Sequence, residues 1–227
     1  MFRKVRRLRD PLRERPLFVR AAPFVIFLGL TFFQLAPGEA TPYWAYLGKT
    51  LVGGFLIWLT LPLVRELKWR MGWEGIVGGV AVFGLWVGLE GRYPVFQESG
   101  TAWNPFAVFG AGSMAAWAFI GVRIAGSTLL VPMLEEVFYR SFLYRWIADP
   151  DFEKVDLGEF RWRPFLVASA VFGLAHREWL AGMLTGALLQ WLALRRRDLG
   201  DALTAHAVAN LLLGIWVAWQ GQWIFWF

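Results

Sequence analysis

The residues able to do chemistry in this chain are few, and they sit where ionisable groups are expensive. Glu135 and Glu136 form an adjacent carboxylate pair, and His176 and His206 are the only two histidines. All four lie inside apolar stretches long enough to be membrane helices. An ionisable side chain at bilayer depth costs roughly 2.5–3.5 kcal/mol on insertion scales, so membrane segments seldom carry one without a task. Two acids and two imidazoles within one half of a 227-residue protein are the composition of a buried reaction centre.

Their spacing adds three constellations. In VPMLEEVFYRSFLYRW, Glu136 and Arg140 are i,i+4 and share a helix face, while Glu135 points about 100° away. A guanidinium can hold one carboxylate ionised and fixed, and placing two acids in different environments is how acid and base roles are divided. The bland reading is a structural ion pair with a spare interfacial glutamate. In FGLAHREW, Phe172 and His176 are i,i+4, and His176 lies roughly 18 Å along the helix from Pro164. Alone it reads as a hydrogen-bonding packing residue. In HAVAN, His206 and Asn210 project one way and supply donors for developing negative charge, or an interhelical polar clamp. The three together use every histidine in the chain and predict one common polar centre.

The elements that must position these groups are membrane helices. The hydrophobic fraction is 57%, charged residues are 18%, and there are 15 Trp and 20 Phe; the mean hydropathy is +0.46. A soluble domain averages about 45–50% apolar residues and more charge. The expected architecture is an all-α polytopic transmembrane bundle of about seven spans: 21–36, 44–64, a glycine-rich 76–89, one from about Ala115 within the long region 106–147, 164–177, 180–194 and 201–219. Pro132 predicts a kink and 104–112 a break. Gly78, Gly79, Gly84 and Gly88 predict close helix packing. The organisation reads as a basic N-terminal segment (1–20), N-terminal transmembrane helices (21–105) and a catalytic membrane core (106–227).

Charge orients the bundle. The net charge is +6, and about 17 of the 23 Lys and Arg fall in the N-terminal run and in segments 65–74, 148–163 and 195–200. This positive-inside pattern predicts a cytoplasmic N-terminus, multi-pass insertion in the cell (inner) membrane, and contact of the basic run with lipid headgroups. No basic stripe exists outside juxtamembrane positions, so no nucleic-acid partner is expected. The absence of cysteine excludes disulfides, thiolate metal ligands and a thiol nucleophile. The basic start lacks a convincing cleavage site, so an uncleaved first helix is expected. The terminal QWIFWF reads as an aromatic belt at the opposite interface. No inverted repeat relates the halves, which argues against a transporter.

The ordered set Glu135-Glu136-x-x-x-Arg140, Phe172-x-x-x-His176 and His206-x-x-x-Asn210 resembles the CPBP family of intramembrane proteases, which includes the type II CAAX prenyl endopeptidases. The resemblance covers roughly 123–213; the wider pattern is similar to a bacterial CAAX protease-related subgroup. It implies an intramembrane endopeptidase acting on a membrane-anchored, CAAX-like protein or peptide. By position it implies that Glu135, with His176, activates a water, that His206 and Asn210 stabilise the oxyanion, and that Glu136, Arg140 and Phe172 support them. Glu135, His176 and His206 could bind a divalent metal such as Zn²⁺ with an open position for water, and a glutamate-activated water needs no metal; the sequence is compatible with both. Many members carry Gly where this chain has Ser141. A non-proteolytic membrane scaffold or self-immunity protein of the same family, and a proton-coupled carrier, are the rival readings.

Overall fold

The structure, a computed structural model, describes residues 9–96 and 103–226. Four of the basic N-terminal residues (Arg3, Lys4, Arg6, Arg7) and part of the 90–104 loop lie outside the described residues. The protein is all-helical, 77% helix without strands among the described residues. Seven helices are candidate spans. Four are long and apolar enough to cross a membrane: α1 (Pro16–Gly29, extended by a 3-10 turn to Leu35), α2 (Thr41–Thr60), α5 (Met114–Ala148) and α8 (Gly200–Gln220). Three are shorter or more polar: α3 (Trp73–Leu89), α6 (Trp162–Leu174) and α7 (Trp179–Arg196). A short α4 (Pro105–Phe109) precedes α5.

Local sequence explains the boundaries. Asn104 caps α4 through Oδ1 and the Phe106 N–H (3.1 Å), and Ser113 caps α5 through Oγ and the Ala116 N–H (3.1 Å). Between them Gly110 (φ +89°) and Gly112 (φ +75°) take left-handed backbone that only glycine adopts freely, which places the break that the sequence suggested. The long region is therefore a short helix followed by a 35-residue one. At about 1.5 Å per residue α5 is near 50 Å long and must project beyond a ~30 Å hydrocarbon core. Pro132 does not break it. Having no N–H, Pro132 cannot bond the Thr128 carbonyl, and the preceding turn, Gly126–Leu130, widens to a π-helix.

The connectors gather at two ends. At the charged end the Leu199 N–H bonds the Glu66 carbonyl (3.1 Å), and Arg70 pairs with Asp198 (2.5 Å). At the opposite end the Phe96 N–H bonds the Arg177 carbonyl (3.2 Å) and the Trp103 N–H bonds the Trp226 carbonyl (3.0 Å). Trp226 is only 4% exposed, so the tail read as an interfacial belt is folded into the bundle at this residue.

Helix α8 is central: half of its apolar window is buried, against 28–33% for the other three long helices. It packs most extensively on α3, where the glycine reading is met at two positions. A Cβ on Gly79 would lie 2.6 Å from the Ala205 carbonyl, and one on Gly78 3.4 Å from the Ala205 side chain. Gly84 and Gly88 face open space and have no such role. Burying the two residues preceding and following His206 (Ala205 0%, Ala207 6%) fixes which way the imidazole points.

Candidate active site

The site is built on α5 and α8. Glu135 and Glu136 stand on a single α-helical stretch, Val131–Glu136, with π-helical turns on both sides, Gly126–Leu130 and Val137–Leu143. Such wide turns inside an α-helix are uncommon and recur at functional sites, because they re-aim side chains without ending the helix. Nothing in residue type or period marks them beforehand; they emerge from packing on α1 and α8.

Glu136 is fully buried and has two partners. Oε2 lies 3.1 Å from Arg140 Nε, the i,i+4 pair expected from spacing. Oε1 lies 2.9 Å from His206 Nδ1 across the α5–α8 interface. With Glu136 Oε1 as the acceptor of this contact, His206 Nδ1 carries the proton and its Nε2 is presented to Glu135 Oε2 at 3.8 Å. That separation is too long for a direct hydrogen bond. Arg140, 1% exposed, also donates to the Gly186 carbonyl of α7 (3.3 Å) and lies 4.6 Å from the Phe172 ring centroid. One buried chain of contacts thus runs α7–Arg140–Glu136–His206 and ends facing Glu135.

Phe172 joins the second histidine to this chain. Its ring centroid is 4.7 Å from that of His176 and 6.0 Å from that of His206. His176 Nδ1 lies 2.7 Å from the Phe172 carbonyl, an atom that can only accept, so Nδ1 is the donor and Nε2 is left unprotonated in the neutral ring. Asn210 donates from Nδ2 to the Ser127 carbonyl (2.7 Å), in the first π-turn, and retains a second amide hydrogen. The polar-clamp reading of Asn210 is therefore met, and one donor remains.

Glu135, His176, His206, Asn210 and Phe172 all border one cleft with about 160 Å³ of internal space. Its walls continue along Ser127 and Arg123 of α5 and Leu213 and Gly214 of α8 to Phe225 and Trp226. The cleft therefore runs from Glu135 and His206 toward the end opposite the charged connectors. On α8 the small residues Ala209 and Gly214 border the cleft beyond His206, Gly214 packing closely on Ile124, while Leu199 and Leu203 on the other side of His206 belong to the core.

Among the described residues no group of three His, Asp or Glu side chains lies close enough together to hold a metal ion. Both Nδ1 atoms meet oxygen acceptors, which leaves the two Nε2 atoms as the only histidine positions open to a ligand, and His206 Nε2 lies 3.8 Å from Glu135 Oε2.

Sequence reading passed over several polar groups that the fold brings close. Lys49, 9% exposed inside α2, bonds Thr31 Oγ1 (3.2 Å) and lies over Phe27 and Tyr46. Arg123 lines the far end of the cleft with Tyr46, Trp103 and Trp226 rings around it. Charge inside an apolar run was the available signal in both cases. Ser141 donates to Glu66 and accepts from Arg20 Nε (2.9 Å). Glu66 also accepts from Arg145 (3.2 Å). Serine at the position where glycine is common is thus part of a buried ionic cluster that ties α5 to α1 and to the 64–72 connector.

Fold and site together define an all-helical membrane protein with a carboxylate–imidazole centre buried between its helices. Residues 121–212 match the family described as Rce1-like, type II CAAX prenyl endopeptidase Rce1-like. The matched segment contains all seven motif residues, from Glu135 to Asn210, in agreement with the motif resemblance, and supports a CAAX-type intramembrane protease at family level. No curated protein and no solved structure matches the chain.

Proposed function

We propose that this protein is an intramembrane endopeptidase that hydrolyses a peptide bond of a membrane-anchored, CAAX-like protein or peptide by glutamate-activated water. The observation that carries the reading is the buried chain Arg140–Glu136–His206, which ends opposite Glu135 in a cleft with room for water and a peptide backbone. Glu135 is the one carboxylate of the pair that borders the cleft, and its Oε2 has no hydrogen-bond partner. It takes a proton from water as the water oxygen bonds to the substrate carbonyl carbon. His176, through the lone pair on Nε2, orients that water. The carbonyl oxygen becomes an oxyanion, held by the remaining Asn210 N–H and by His206, which in this scheme enters the reaction doubly protonated, with Nδ1–H on Glu136 and Nε2–H on the oxyanion. Glu136 at Nδ1 balances the imidazolium charge in this state, as a carboxylate does for a catalytic histidine elsewhere. Collapse breaks the C–N bond, and Glu135 returns its proton to the leaving amine. Oxyanion donors of this kind contribute about 10²–10³ in rate.

The protein would lie in the cell membrane with its N-terminus and charged connectors cytoplasmic, in contact with anionic lipid. The test compares membrane-fraction proteomes of cells carrying wild-type and Glu135→Gln protein. A processed terminus present only with wild type is expected; identical termini in both refute the protease and leave the scaffold reading.

A further inference from the structure

At the charged end, where α1 begins and α2 ends, a second cavity of about 330 Å³ opens beside the connector into α3. Arg13, Arg20 and Arg65 border it, against the single carboxylate Glu153. Arg20 is a fixed wall: it is 6% exposed, bonded to Glu66 (2.9 Å) and Ser141 Oγ (2.9 Å), with Nη1 3.5 Å from Glu153. Arg13 and Arg65 are different. Arg13 reaches only the exposed Asp10 at 3.8 Å, and Arg65 has no polar partner among the described residues. The two project from separate elements toward one space that contains no second acid.

Backbone charge adds to this. Pro16, the first residue of α1, lines the cavity, so the start of a 14-residue helix dipole lies beside it, although Pro16 itself has no N–H to donate. Arg15 provides no side-chain cap, and the first turn carries no acid, which leaves that end uncompensated. The remaining wall is apolar, from Leu12, Val19, Pro62 and Leu63. Just beyond it Leu17 and Phe18 are 51% and 47% exposed, at the start of a span whose outer face must meet acyl chains.

We propose that this cavity binds the phosphate of an anionic phospholipid headgroup. Arg13 and Arg65 close on the phosphate from two sides, the first turn of α1 and Arg20 form its rear wall, and the acyl chains descend along Leu17 and Phe18. The bound lipid clamps the entry of α1 to the 64–72 connector, next to the Glu66–Ser141 cluster on α5. A lipid fits better than a free anion because a basic, helix-bordered recess at the apolar boundary holds the headgroup while the tails stay in hydrocarbon.

The experiment uses full-length protein, delipidated in neutral detergent and followed by native mass spectrometry. Wild type and the Arg13→Gln/Arg65→Gln variant are each offered phosphatidylglycerol, phosphatidylcholine or inorganic phosphate. Wild type is expected to retain one phosphatidylglycerol in preference to phosphatidylcholine. The variant, altered only at exposed side chains outside the active site, is expected to bind it about thirtyfold more weakly, from about 1 kcal/mol per basic side chain. Equal retention of both lipids by wild type overturns the proposal whatever the variant does. So does unchanged phosphatidylglycerol affinity in a folded variant. Retention of inorganic phosphate without phosphatidylglycerol overturns the lipid assignment.

Discussion

Glu135 and Glu136 are chemically identical neighbours in different surroundings, and substituting each in turn tests whether catalysis and folding separate as the proposed mechanism requires. Glu136 is 0% exposed and shares its two oxygens between Arg140, itself 1% exposed, and His206. Glu136→Ala leaves a guanidinium buried without a counter-ion, a change that costs about 3–5 kcal/mol. Against a total stability of about 5–15 kcal/mol this is a large fraction. For a chain of this size each kcal/mol moves Tm by about 2–4 °C, so a fall of roughly 6–20 °C is expected. Glu135 has no such partner: its Oε2 makes no hydrogen bond and meets His206 only at 3.8 Å. Glu135→Gln is isosteric and is expected to change stability by less than about 1 kcal/mol, within the range of a single hydrogen bond. Under the proposed mechanism, in which Glu135 is the general base, the same substitution should nonetheless cut turnover by about 10²–10⁴. The assay is thermal unfolding of both purified variants in one detergent, with the cellular processed-terminus measurement alongside. The reasoning fails if Glu135→Gln lowers Tm as far as Glu136→Ala does, or if Glu136→Ala leaves Tm in place.

Ser141→Gly should lower Tm while proteolysis persists, because it removes a fully buried hydroxyl from two charged partners, Glu66 and Arg20, each such bond being worth about 1.5–3 kcal/mol; an unchanged Tm would show the cluster to be incidental. Burial would raise the Glu66 carboxyl, but the hydrogen bond and charge of Arg20 and the Ser141 hydroxyl outweigh it and hold the group below its ordinary value of 4.5. Its contribution to stability is therefore complete above pH 4.5 and lost as pH falls through the lower folded value. Acid unfolding of Glu66→Gln should be flatter than wild type in that window, and superimposable profiles would refute this. Asn210→Ala should reduce kcat by about 10²–10³ with KM little changed, if its second N–H holds the oxyanion; normal turnover would restrict Asn210 to its bond with Ser127. Gly79→Ala places a methyl 2.6 Å from the Ala205 carbonyl, so α3 must move off α8 and Tm should fall, whereas Gly84→Ala, which meets nothing within 4 Å, should be neutral.

Much of this protein was legible in its residues, for a definable reason. Water cannot satisfy backbone groups in hydrocarbon, so apolar runs of sufficient length have few structures open to them, and helical spans follow. The i,i+4 pairing of Glu136 with Arg140 is likewise a property of helix geometry alone, and the structure returns it at 3.1 Å. The break before α5 was readable because glycine takes most freely the left-handed backbone found at Gly110 and Gly112. These are all local facts, decided within a few residues of chain.

What tertiary structure alone decided is which groups meet across helices. Glu136 is joined to His206, seventy positions away, by the packing of α5 on α8, and no spacing rule reaches that far. The π-turns flanking the glutamates, the commitment of Asn210 to Ser127, and the run of the cleft away from the charged connectors have the same origin. Composition dictates that buried charge must find partners, because an unpaired one is too costly to keep. Only the three-dimensional fit of one helix surface against another chooses the partner.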